Sequence, residues 1–173
     1  MTKRLLAAAI ALSLSCPLAT SAQTGPVVQS LKALNDITTT NIRATVETLD
    51  EALFSFRPTE EVRSMGQILA HIAGAQYSFC SVAAGEDNPN SKNFEQVATT
   101  KAQINAALEA GFAYCTQVYA ATSDAAGAEM VSFFGTPMAK AAVLAFNSAH
   151  NYEHYGNLVT YMRLNGIVPP SSR

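Results

Sequence analysis

Apolar residues recur at helical spacing in four separate stretches of the chain. In the first, Val27, Leu31, Leu34, Ile42, Val46 and Leu49 share one stripe, and Pro26 sits where a first helical residue tolerates a missing N–H. A helix is therefore predicted from Pro26 to about Asp50. Thr38 interrupts the stripe, and a hydroxyl bonded back to its own helix accounts for it. From Glu51 to Arg63 the period is lost. Pro58 disfavours helix at Arg57, so this segment reads as a connector whose Phe54 and Phe56 pack on the helices. Ser64 followed by Gln67 has capping-box spacing and opens a second helix that runs to about Ala84. Between Ser64 and Gly85 there is no Asp, Glu, Lys or Arg. Gln67, His71, Gln76 and several serines make membrane insertion of that stretch costly, so a helix buried on most sides is expected.

Gly85 to Ser91 is dense in turn formers and marks the main exposed loop. Thr100 with Gln103 repeats the capping-box spacing, and Ile104, Leu108, Phe112, Cys115 and Tyr119 carry a third helix to about Thr122. Ser123 to Met130, small and polar, is expected to be a second loop. Val131 to Phe134 is β-prone but too short to change the fold class. Thr136 as cap and Pro137 as first helical residue are expected to open the fourth helix. Asn165-Gly166 ends it, and Pro169-Pro170 prevents continuation. Two of the connections are long, which predicts an all-α four-helix bundle with crossover connections.

Composition sharpens this picture. With 173 residues, 49% of them hydrophobic and 14% charged, the chain has material for one packed core. A net charge of −2 without a basic patch excludes nucleic acid as the expected partner. Lys3 and Arg4, the apolar run Leu5 to Leu14, and Thr20-Ser21-Ala22 read as a secretion signal over residues 1–22. The expectation is an exported chain, periplasmic or secreted, with one domain over residues 23–173 and no membrane span in the mature form. An apolar run of about 10 residues falls short of the ~20 that a spanning helix needs. Lipidation of Cys16 is the alternative to cleavage after Ala22, although Ser13 stands where a lipoprotein signal usually carries Leu. Cys80 and Cys115 then remain, free to form one bridge or to serve as small buried side chains.

The candidate chemistry lies in His150-Asn151-Tyr152-Glu153-His154, where two imidazoles four residues apart project from one helical face. The third and last histidine of the sequence, His71, belongs to the second helix. Imidazole binds zinc, and also nickel or iron, in its neutral form, and the stretches around these histidines are locally uncharged. Three converging nitrogens without a fourth protein ligand leave an open position for water or substrate. Cys80 falls on the opposite side of its helix from His71 and is a poor fourth ligand. Glu153 can orient a ligand or accept a proton, or can simply face solvent. Gln67, Asn147 and Asn157 lie one turn from the histidines, where they can fix ring tautomers or serve as cap and interhelical amides. The run also matches the H-x-x-E-H pattern of inverted zinc proteases. Those enzymes need a further acidic ligand downstream, and no Asp or Glu follows His154.

Arg57-Pro58, the run Arg63-Ser64-Met65-Gly66-Gln67-Ile68-Leu69-Ala70-His71-Ile72, and His150 to Gly156 leading into Leu164 to Pro170 together resemble the DinB-like family. These are metal-binding four-helix bundles, unrelated in fold to the similarly named lesion-bypass polymerase. The resemblance matches the family's histidine on the second helix to His71 and its pair on the last helix to His150 and His154. It implies a divalent metal cofactor and a homodimer. Among such relatives are thiol-dependent transferases and isomerases in which the metal activates a small cofactor's thiol. Those thiols are cytosolic, and an exported chain would meet little of them. Three readings stay open: a metal-dependent hydrolase or transferase of a small molecule, a non-catalytic metal-binding or stress protein in which the ion clamps helices, and a metal-free helical interaction module.

Overall fold

Two reciprocal caps fix where the middle helices begin. The Ser64 hydroxyl accepts from Gln67 N while Gln67 Oε1 accepts from Ser64 N, and Thr100 and Gln103 repeat the arrangement. The computed structural model describes residues 25–173, so the expected signal segment and Cys16 lie outside the described residues. The helices are α1 (Pro26–Thr48), α2 (Met65–Ala84), the short α3 (Phe94–Val97), α4 (Lys101–Ala121), the short α5 (Asp124–Gly127) and α6 (Lys140–Leu164). A hairpin of β1 (Met130–Phe133) and β2 (Thr136–Ala139) precedes α6, and 3₁₀ turns occupy Glu51–Ser55 and Pro170–Ser172. Gly166, at φ 71°, closes α6: its N–H bonds Arg163 O, and Ile167 N–H bonds Met162 O. No described helix is long and apolar enough to cross a membrane.

The fold is all-α, a bundle of α1, α2, α4 and α6 joined by crossover connections. Helix α2 packs on α4 and α6, and α1 packs on α6 and α4, so α1 and α2 face each other across the bundle diagonal. The connector between them carries the chain across, with Phe54 buried and Phe56 partly buried on the core. Gly111 allows α4 to approach α2 closely, because a Cβ there would come within 2.9 Å of Ala73 O. The Cys80–Cys115 disulfide joins the same two helices.

Two features depart from the sequence expectation. The fourth helix starts at Lys140, because Thr136 and Pro137 belong to β2, with Pro137 opposite Ser132. Phe134-Gly135 turns the chain back at positive φ, which lets the β-prone run recruit a partner strand. In a two-stranded ribbon the N–H that proline lacks is easily dispensed with. The expected loop over Ser123 to Met130 contains α5, capped by the Ser123 hydroxyl, and ends in β1.

Where α1, α2 and α6 meet, the core is polar. Asn35, Gln76, Asn147 and Asn151 are buried, and their carboxamides bond one another. Such a network ties three helices into one register, because a slip would leave buried amides unpaired. Asn151 is adjacent to His150, so that register also sets where the histidines meet.

Candidate metal centre

The packing of α2 on α6 brings all three histidines together. His150 Nε2 lies 3.1 Å from His71 Nε2 and 3.0 Å from His154 Nε2, and the three ligand atoms lie within 4.8 Å of one another. Metal–nitrogen bonds of about 2.1 Å place neighbouring donor atoms roughly 3.0–3.4 Å apart, so the two contacts of His150 Nε2 match a shared cation. His71 and His154, within 4.8 Å of each other, need only a small side-chain shift to share it.

Proton counting supports the same fit. His71 Nδ1 is 2.8 Å from Glu95 Oε1. An ionised carboxylate only accepts, so Nδ1 carries the proton and Nε2 presents its lone pair to the cluster. A single N–H at His150 Nε2 can serve only one of its two imidazole partners well. His150 Nδ1 and His154 Nδ1 are buried without hydrogen-bond partners. A cation at the three Nε2 atoms relieves the crowding of lone pairs that neutral rings cannot resolve among themselves. The described residues therefore can hold a metal ion at His71, His150 and His154.

The electrostatics favour the ligand form. Burial holds the His150 imidazole down at about 3, with His154, His71 and Arg63 pushing the same way. His154 is lowered by burial first and then by His71, against opposition from Glu153 and Glu95. Burial pushes the Glu95 carboxyl up, but hydrogen bonds and charge from Arg63 and His71 outweigh it and hold the group below the usual range. Arg63 Nε donates to Glu95 Oε2 at 2.9 Å, making an Arg63–Glu95–His71 chain.

The remaining candidates lie in different surroundings. Gln67 closes the capping box of α2, and Asn147 donates to Gln76 and Asn35 in the buried network. Neither bonds a histidine among the described residues. Glu153 and Asn157 are exposed and line a cleft of about 500 Å³ that reaches His154. A second cleft, of about 510 Å³, opens onto His71 and His150. Its walls include Glu95 and Phe79, and the Phe79 ring meets His150 edge-on at 5.0 Å.

Glu95 is the residue that sequence reasoning missed. It sits on a four-residue helix capped by the Asn93 side chain, 24 residues from its histidine. No apolar periodicity marks such a position. The one available signal is chemical: His71 carries a second ring nitrogen that needs an acceptor.

A model of the DinB superfamily matches residues 35–158, a span that includes all three histidines. Among solved structures, a DinB-like protein from Bacillus cereus superposes with a TM-score of 0.71 at 19% identity, over 82% of this chain and 95% of that one. A DinB-like protein from Bacillus subtilis gives 0.60 at 15%, over 82% and 93%. The mycothiol-dependent maleylpyruvate isomerase gives 0.62 at 16%, over 78% of this chain and 65% of its own. At such identities the likeness is one of fold. No curated protein matches the sequence.

Proposed function

The chain belongs to the DinB superfamily, and from that premise we propose that His71, His150 and His154 hold one divalent ion (zinc, nickel or iron) at which a small molecule is hydrolysed or transferred. The observation that carries this reading is the convergence of three Nε2 atoms at the side of an open cleft.

A bound ion of this kind supplies a Lewis acid and lowers the pKa of water or a substrate group. The chain's own residues do the rest. Glu95 keeps His71 in the Nδ1–H tautomer, Arg63 keeps Glu95 ionised and in place, and the low pKa of His150 keeps its ring neutral at neutral pH, so that one nitrogen offers a lone pair. Glu153 shares a cleft with His154 and is the group we assign to proton acceptance.

A non-catalytic protein could use the same residues to clamp α2 to α6. The amide network already joins these helices, and open clefts reach the histidines from two sides, which supports catalysis over a clamp. One structural neighbour is mycothiol-dependent by name. We favour hydrolysis here because we also propose that residues 1–22 direct export, away from cytosolic thiols, and that residues 23–173 form one domain. The Cys80–Cys115 bridge supports export, since disulfides persist in oxidising compartments. A homodimer is proposed from the family resemblance.

The test is the visible spectrum of the cobalt-substituted protein titrated with azide. An enzyme with an open position gives a saturable spectral change. An unchanged spectrum means a closed shell and overturns catalysis at this site.

A further inference from the structure

Phe134 and Gly135 form the tip of the β1–β2 hairpin, with φ of 49° and 78°. A two-residue turn of this hand favours Asn or Gly at its first position. Phenylalanine suits it poorly, because its Cβ is strained in the left-handed region. The ring is also 79% exposed, whereas its neighbour Phe133 is buried in the core. Strain and exposure both count against the fold, and Phe133, Val131 and Met138 already pack the hairpin on the core, so folding does not explain Phe134.

Its position does. Phe134 borders the cleft that opens onto His71 and His150. Its ring lies 6.3 Å from Phe79 and 6.1 Å from Phe146, edge to face in both cases. Those two rings flank His150 at 5.0 Å and 6.4 Å. The result is an aromatic wall that runs from the hairpin tip to the imidazole. Part of the cleft's remaining lining is polar, including Asn90, Ser91 and Lys92.

We infer that Phe134 is a specificity-determining residue, and that the cleft takes small molecules carrying an aromatic ring beside the oxygen donor they offer to the ion. The ring lies against Phe134 and Phe79, and the donor reaches the three histidines. This inference rests on the metal reading above and goes beyond it by naming the substrate class.

The experiment compares wild type with Phe134→Asn, both loaded with zinc, by calorimetric titration with 2-naphthoate and with acetate. Asn-Gly is the preferred turn, so the variant should keep its zinc and melt at or above the wild-type temperature. Wild type should bind 2-naphthoate more tightly than acetate. The variant should lose about tenfold in naphthoate affinity, the scale of a lost aromatic contact, with acetate unchanged. Equal affinities in zinc-loaded wild type, or an unchanged preference in the variant, overturn this inference and leave the metal reading standing. Failure of wild type to hold zinc overturns both. If the substitution instead abolishes a dimer and leaves ligand preference untouched, Phe134 belongs to an interface between copies and the inference falls.

Discussion

His71 Nδ1 and Glu95 Oε1 meet at 2.8 Å, and this contact decides which nitrogen of His71 faces the other two imidazoles. The carboxylate is itself held by Arg63. Orientation of one ring therefore depends on a residue from a short helix outside the main bundle.

Glu95→Gln keeps the shape but removes the charge that raises ligand basicity. Metal affinity should fall by about 10- to 100-fold in a variant that remains folded. Competition against a chelator of known affinity measures it, and equal affinities would show that Glu95 does not tune the site.

Acid should destabilise the metal-free protein. His150 titrates at about 3 when folded, against 6.5 ordinarily, so between those values the unfolded chain binds more protons than the folded one. Stability therefore falls as pH drops below about 6.5. The groups facing the pair are His71, Arg63, Glu95 and Glu153. Glu95, also lowered when folded, adds loss of the same sign at lower pH. Melting curves at pH 7 and pH 5 test this, and an equal or higher midpoint at pH 5 would contradict it.

The buried Cys80–Cys115 bridge closes a loop of 35 residues. Loop-closure entropy puts its contribution at about 3–4 kcal/mol. Urea unfolding of the Cys80→Ala/Cys115→Ala variant should show a loss of that order, and a loss below about 1 kcal/mol would mean that the unfolded chain is already constrained.

Helix α1 lacks a side-chain cap of its own, and Asp124 supplies one from α5. Its Oδ1 accepts from Val28 N at 2.9 Å and its Oδ2 from Val27 N at 3.1 Å. Asp124→Ala should cost about 1 kcal/mol, with metal content unchanged. A thermal shift near zero would show that solvent caps α1 equally well.

Much of this molecule was legible before the fold was known. Ser64/Gln67 and Thr100/Gln103 announced their helices because a capping box is local chemistry, and the spacing of His150 and His154 follows from helix geometry alone. Phe134-Gly135 misled, because a two-residue turn and its pairing strand depend on backbone angles that a helix-start pattern at Thr136-Pro137 conceals. The buried amides show the limit most clearly: Asn147 lies one turn from His150, yet its partners Gln76 and Asn35 come from two other helices. Glu95 and the aromatic wall share that difficulty, since tertiary packing creates both.

One cation shared by helices α2 and α6 is the centre of the proposed chemistry. Metal analysis of purified mature protein, wild type beside His150→Ala, tests it directly. The prediction is close to one equivalent of zinc, nickel or iron per wild-type chain, and none in a variant that remains helical. A wild-type protein that takes up no divalent metal, or a variant that retains a full equivalent, would contradict it.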